Sequence, residues 1–308
     1  MLHTINTVMY KAFGFRILSE INLPELIVIE DNKSQRDIEI ILGNLKNQWE
    51  KIANPKRNFY VKDNLVMFRV KDVAIYSIID GERIVVSPAK EAKEDKIRLY
   101  LLGTCMGIMM MQRRILPLHG SAVIINGKAY AIVGDSGAGK STLASALLHR
   151  GFQLISDDLI PVTLNNSGIP VVTSAYPQQK LWQESLQEFG IESKHLRPII
   201  DRETKFAVPV ISQFIDREEI PLAGIYELLK TEKESIELYP VNRFNKVDTL
   251  LYHTYRNFLL QPLGLFEWHF SMMTTMMKHT EVYQLKRPVS TFTAHDLASI
   301  ILSTIVKE

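Results

Sequence analysis

From Asn6 to about Pro88 the chain is written in short alternating apolar runs: Tyr10–Leu18, Asp37–Leu42, Phe59–Val61, Leu65–Val70 and Val73–Ile79. A period of two turns one face of a strand to a core and the other to solvent, so these runs predict strands. Asp63-Asn64 and Asp80-Gly81 fall between them, and such dipeptides suit the tight turns of hairpins. At Lys90 the period changes. Ile97, Leu101, Leu102, Cys105, Ile108 and Met109 recur at helical spacing as far as Arg114, which predicts a buried helix. The change of period places a domain boundary near residue 90, between a small β-rich N-terminal domain (1–90) and a larger domain (91–308).

In the second part strands and helices alternate, the signature of an α/β fold. Gly120–Ile125 and Ala129–Val133 read as strands joined by an Asn126-Gly127 turn, and Ser141–Arg150 as a helix that Gly151 terminates. His119 is expected to begin the first of these strands, and a short strand Gln153–Ile155 to deliver Asp157 and Asp158. Further strands are expected at Ala207–Val210, Gly224–Leu229, Ile236–Tyr239 and Val282–Leu285. Helices are expected at Lys246–Leu260, Leu265–His279 and Ala294–Lys307.

Between the second strand and the helix stands Gly134-Asp135-Ser136-Gly137-Ala138-Gly139-Lys140-Ser141-Thr142. Gly, four residues, then Gly-Lys-Ser, set between a strand and a helix, is the pattern of a phosphate-binding loop. The glycines reach backbone conformations closed to other residues and keep side chains away from the inward-pointing amides. A helix beginning at Lys140 adds unpaired N–H donors and the positive end of its dipole. Lys140 is expected to reach the β- and γ-phosphates of ATP, Ser141 to ligate Mg²⁺, and Thr142 to support the loop. The Asp157-Asp158 pair follows at the position where such proteins carry an acidic residue. One carboxylate can hold the metal while the other accepts the proton of an incoming hydroxyl.

Composition narrows the class of partner. Thirty-six basic and 34 acidic residues leave a net charge of +2, too weak a field to argue for nucleic acid or a membrane surface. A single cysteine, Cys105, makes neither an internal disulfide nor a zinc cluster and fits a cytoplasmic setting. Met1–Tyr10 lacks the pattern of a secretory signal. The apolar stretch Leu99–Met111 is too short to span a bilayer. Met106, Met109–Met111, Met272, Met273, Met276 and Met277 read as core filling rather than a metal or peptide site.

His119-Gly-Ser-Ala-Val, Gly134-Asp-Ser-Gly-Ala-Gly-Lys-Ser, and Leu147-Leu-His-Arg-Gly-Phe-Gln-Leu-Ile-Ser-Asp157-Asp158 together resemble the catalytic domain of the HPr kinase/phosphorylase family. The resemblance implies a P-loop kinase core of the HPr kinase/phosphoenolpyruvate carboxykinase type. It implies catalytic roles for His119, Lys140 and Asp158, with Asp158 as the base acting on a serine, and a metal on Ser141, with Asp157 beside it. The family's arginine-rich Pro-Val segment corresponds to Pro240–Lys246, which makes Arg243 a candidate phosphate contact, although the family's glycine is missing there. Its metal-binding glutamate has no clear counterpart near Leu181–Glu184. Arg197, Arg202 and Lys205 are further candidate cations for the γ-phosphate.

Phe13-Gly-Phe, Ser19–Glu25 and Pro177…Lys180-Leu-Trp are similar to HPr-kinase-like proteins of lasso-peptide biosynthesis. That resemblance implies phosphorylation of a serine at the C-terminal end of a precursor peptide. An HPr-type protein kinase, a small-molecule phosphotransferase and a nucleotide-gated binding protein without turnover stay open at this point. So does a homo-oligomer.

Overall fold

The computed structural model describes residues 7–30, 35–52, 58–199 and 202–306, without the side chains of Arg202, Glu203, Arg243 and Val306. The chain divides into two compact units: Met1–Ile115 with Phe258–His269, and Leu116–Asn257 with Phe270–Glu308.

The first unit contains β1 (Val8–Ala12), β2 (Phe15–Ser19), β3 (Ile27–Val28), β4 (Ile38–Leu42), α1 (Lys46–Ile52), β5 (Phe59–Lys62), β6 (Leu65–Val70), β7 (Ala74–Ile79) and β8 (Arg83–Pro88). Its eight strands form one sheet in the order β3-β1-β2-β4-β8-β7-β6-β5. The predicted turns sit where their chemistry demands: Lys62 pairs with Leu65 across Asp63-Asn64, and Asp80 and Gly81 both take positive φ, 54° and 68°.

A helix follows as α2 (Glu94–Tyr100), one π-helical stretch at Leu101–Cys105, and α3 (Met106–Gln112). The boundary expected near residue 90 moves to Ile115, because this helix is tied to the first sheet. Tyr76 donates its hydroxyl proton to Ile97 O at 3.2 Å, and Gln112 Nε2 donates to Asn64 O at 2.7 Å. Met106 and Met109–Met111 are fully buried, as core filling requires.

The second unit runs β9 (Leu116–Ile125), β10 (Lys128–Val133), α4 (Lys140–Leu148), β11 (Gln153–Leu164), β12 (Pro170–Val172), β13 (Gln178–Trp182), α5 (Gln183–Glu188), β14 (Arg197–Ile199) and β15 (Arg202–Pro209). It continues with β16 (Ile220–Thr231), β17 (Glu237–Pro240), α6 (Arg243–Tyr252), α7 (Phe266–His279), whose first residues belong to the first unit, β18 (Glu281–Pro288) and α8 (Ala294–Val306). The main sheet has the order β10-β9-β11-β12-β16-β18-β17, and β10 also pairs with β16. A ring of five strands is thereby closed. Strands β13, β15 and β14 make a separate small sheet, and the strand expected at Ala207–Val210 is the end of its β15.

Helix α4 buries Leu143, Leu147 and Leu148 in a core shared with Leu228, Leu285 and Ile301. Gly151, at φ 90°, stops it as expected. The helix expected over Lys246–Leu260 ends at Tyr252 instead. The residues after it give their backbone groups to β9: His119 N–H donates to His253 O at 2.8 Å, and Tyr255 N–H to Pro117 O at 2.8 Å. No helix among the described residues is long and apolar enough to cross a membrane.

Candidate functional site

The loop Gly134–Gly139 leaves the C-terminal end of β10, beside the parallel strand β16, with Val133 in register with Glu227. Gly134, Gly137 and Gly139 take φ of 149°, 81° and 106°. At Gly134 a Cβ would stand 2.6 Å from Leu228 O, so only glycine lets the loop leave the sheet this close to β16. Lys140 Nζ donates to Gly134 O at 2.7 Å and Asp135 O at 3.0 Å, arching over the loop. Burial holds its pKa below that of a free lysine, against the pull of Asp158 and Asp157.

Three side chains brace the loop. Arg287 Nε donates to Ala138 O at 2.7 Å, Tyr252 donates its hydroxyl proton to Asp135 Oδ1 at 2.9 Å, and the Thr142 and Ser185 hydroxyls pair at 2.8 Å. The Thr142 hydroxyl thereby ties the start of α4 to α5.

The aspartates lie within a long strand, not beyond a short one. β11 pairs antiparallel with β9, setting Asp157 opposite Ser121, Asp158 opposite Gly120 and Leu159 opposite His119. His119 is correspondingly the fourth residue of β9, not its first. Neighbours on a regular strand point to opposite faces. Here Asp158 has φ 82°, which breaks the alternation, and both carboxylates line one cleft. A non-glycine residue in this region costs on the order of 1–3 kcal/mol, which the surrounding sheet must hold.

Asp157 is buried, and each of its carboxylate oxygens accepts one hydrogen bond. Oδ1 accepts from the Ser121 hydroxyl and Oδ2 from the Lys180 N–H at 2.9 Å. Asp158 Oδ2 accepts from Lys180 Nζ at 2.5 Å, and Oδ1 stands 3.5 Å from His119 Nδ1. Burial pushes the Asp158 carboxyl upward, but the Lys180 ammonium and His119 outweigh it and hold its pKa well below the usual carboxylate range. Burial likewise opposes the charge on Lys180, and Asp158 more than restores it, raising the lysine above its ordinary value. His119 moves the other way: burial lowers its pKa despite Asp158. Its Nδ1 lies 3.0 Å from Asp158 O. A carbonyl only accepts, so Nδ1 carries the proton and Nε2 of the neutral ring is left as an acceptor.

His119, Lys140, Ser141, Asp157, Asp158 and Lys180 therefore face a single cleft of about 270 Å³. Lys205 lines it too, but Arg197 does not. The Arg243 backbone opens α6 behind an Asn242 cap that accepts from Asn245 N–H at 3.0 Å, and its side chain lies outside the described residues. Sequence reasoning missed the clamping role of Lys180, although the Lys-Leu-Trp run around it had stood out. It also missed the Glu227 carboxylate behind the loop, which takes His253 Nε2 at 2.9 Å and Gln284 Nε2 at 2.8 Å. Burial raises the Glu227 pKa, and these hydrogen bonds turn the balance downward.

Among the described residues no three His, Cys, Asp or Glu side chains converge as a metal cage. Mg²⁺ does not ask for one, since it is commonly held by one or two protein ligands, phosphate oxygens and water. Ser141 and Asp157 both line the cleft, and their oxygens suit that role.

The fold and the loop define a P-loop α/β protein. Its sequence similarity lies with the HPr kinase/phosphorylases. That of Mycoplasmopsis pulmonis is 40% identical over 70 residues, 22% of this chain and 23% of its own length. Those of Nitrosomonas europaea and Geobacter sulfurreducens are each 26% identical, over 154 and 179 residues, covering 48% and 54% of this chain and 48% and 56% of theirs. The chain thus spans from under a quarter to little more than half the length of these relatives. No protein-family profile matches it. The HPr(Ser) kinase/phosphatase of Coxiella burnetii overlays on 62% of this chain and 94% of its own, at 15% identity and a TM-score of 0.32.

Proposed function

We propose that the chain is an ATP- and Mg²⁺-dependent kinase that transfers the γ-phosphoryl group to a serine hydroxyl of a peptide or small protein. The observation carrying this reading is the meeting of Lys140 and Ser141 with His119 and Asp158 in one cleft. A loop that only gated a conformational change would have no use for an ionised carboxylate lining the same cleft as its lysine and serine.

In this reading the loop amides and Lys140 hold the β- and γ-phosphates, and Ser141 and Asp157 hold the metal. Mg²⁺ supplies charge neutralisation on the phosphate oxygens. Asp158 Oδ1 accepts the hydrogen bond of the incoming serine. The serine oxygen forms its bond to the γ-phosphorus as the bridging P–O bond breaks, ADP leaves with that electron pair, and the serine proton passes to Asp158. A strongly acidic carboxylate is a weak base, yet with a loose transition state its main work is orientation, and a low pKa keeps it in the accepting form. His119, neutral with Nε2 as acceptor, can orient the same hydroxyl.

The similarity to enzymes named HPr kinase/phosphorylase supports a proteinaceous serine acceptor. The finer proposal, a C-terminal serine of a lasso-peptide precursor, is supported by the Phe13-Gly-Phe, Ser19–Glu25 and Pro177…Lys180-Leu-Trp motifs. Labelled ATP with peptides ending in serine, threonine or alanine, read by mass, tests both. Phosphate on internal serines only would leave the kinase and remove the C-terminal acceptor. Phosphate on a small molecule alone would remove the peptide.

A further inference from the structure

Strand β10 pairs with β9 as far as Val133 opposite Gly120 and then leaves the sheet as the phosphate loop. Residues Leu116–His119 of β9 thereby lose their neighbour on that side. The segment after α6 takes its place. His119 N–H donates to His253 O and Tyr255 N–H to Pro117 O, each at 2.8 Å, and Leu118 and Thr254 form an antiparallel bridge between them. Tyr255 also lines the cleft, with its ring 5.9 Å from that of His119.

Two backbone hydrogen bonds at the end of a helix are a weak anchor, since helix ends fray. The His253 side chain supplies a stronger one. Its Nε2 lies 2.9 Å from Glu227 Oε1, Gln284 Nε2 donates to Glu227 Oε2 at 2.8 Å, and Thr249, one turn back on α6, hydrogen-bonds the same carboxylate. Glu227 is in turn the register partner of Val133, the last residue of β10. A path through one carboxylate thus joins the strand that launches the loop to the backbone of His119.

Stability alone does not call for a carboxylate here. Glu227 is 7% exposed and His253 4%, and apolar residues of similar size in place of such a buried pair often leave stability unchanged or raise it. What apolar side chains cannot supply is direction, which the lone pairs of two carboxylate oxygens give to His253. None of Glu227, His253 and Gln284 lines the cleft, so they place another residue and touch no substrate there.

We infer that Glu227 is a positioning residue for phosphoryl transfer: by fixing His253 it sets where β9 presents His119 to Asp158. The inference rests on the kinase reading above and adds a group outside the cleft on which the cleft's geometry depends.

Amide hydrogen exchange, read by NMR on the full chain, follows the hold on β9 without an acceptor. Glu227→Leu is expected to speed exchange of the His119 and Tyr255 amides at least about tenfold, the worth of one hydrogen bond to a charged group. The Leu143 amide of α4, bonded to Gly139 O at 2.8 Å, should stay within about twofold, as local opening requires. In Glu227→Gln the side-chain oxygen still accepts from His253, and Gln284 can turn its own amide to meet the new NH₂, so protection should stay within about threefold. If Glu227→Leu does not fold, His253→Leu, which leaves Glu227 with Gln284, carries the same expectation.

With a peptide that the unaltered chain phosphorylates, kcat should fall about tenfold or more in Glu227→Leu and recover in Glu227→Gln, with the ADP dissociation constant within about threefold in both. Unchanged exchange at His119 in Glu227→Leu or His253→Leu, or a loss of kcat matched by an equal loss of ADP affinity, overturns the inference and leaves the kinase reading standing. Failure of the unaltered chain to phosphorylate any peptide overturns the kinase reading and with it the role in transfer, while exchange alone decides whether Glu227 holds His119.

Discussion

Lys180 and Asp158 are joined by an ammonium–carboxylate contact of 2.5 Å, and the backbone N–H of the same lysine holds Asp157. One residue of β13 thus fixes both acidic groups of β11. Removing its ammonium takes away the largest opponent of burial at Asp158 and leaves His119 and Lys205 to oppose it.

Lys180→Met should therefore raise the Asp158 pKa, moving the acidic limb of the kcat profile upward by about one pH unit or more. The sign follows from the pair: a depressed carboxylate contributes stability above its unfolded pKa and loses it as pH falls through the folded value. Breaking a pair this sheltered should also cost about 3 kcal/mol in urea unfolding near neutral pH. Lys180→Arg should recover much of the stability. A kcat profile in Lys180→Met that keeps its acidic limb would remove the lysine's hold on Asp158.

Asp158→Asn should lower transfer by roughly 10²- to 10⁴-fold, the range for a positioned proton acceptor. The phosphates are held by the loop, so the ADP dissociation constant should stay within about threefold. Equal transfer by the two proteins would take Asp158 out of the reaction.

Burial lowers the pKa of His119, so NMR titration of its ring should give a midpoint below the ordinary value of about 6.5. A midpoint above that value would mean that the Asp158 carboxylate outweighs burial. In Asp158→Asn the midpoint should fall further, because the charge that favours the imidazolium is gone.

Gly120 carries no positive φ, and its constraint is one of space. A Cβ there would stand 2.3 Å from Ile132 O, inside the β9–β10 pairing. Backbone cannot step aside as a flexible side chain can, so Gly120→Ala should destabilise by about 1–3 kcal/mol. Because the same residue faces Asp158 across the ladder, nucleotide affinity should fall along with the melting temperature.

Tyr252 is largely exposed, but its hydroxyl is bonded to Asp135 of the loop. Tyr252→Phe should weaken ADP by no more than about threefold, the worth of one exposed hydrogen bond. A loss beyond tenfold would show the tyrosine to be a ligand of the nucleotide itself.

The sequence by itself determined the loop. Its three glycines, the lysine and the flanking periodicities are local, and local geometry follows from local residue types. It determined the hairpin turns at Asp63-Asn64 and Asn126-Gly127 for the same reason. The cleft was only half legible: His119 and the aspartates could be named, but not the β9–β11 register that sets His119 opposite Leu159, nor the positive φ at Asp158 that lets both carboxylates line one cleft.

Tertiary structure alone decided the rest. Lys180 reaches Asp158 because β13 lies against β11, 22 residues on. Arg287 reaches the loop from 149 residues away. The helix after Lys246 stops at Tyr252 because β9 claims the backbone that would have continued it. No periodicity records such partnerships, since hydrogen bonds and ion pairs between distant strands depend on which edges meet, and that is settled only when the sheet closes.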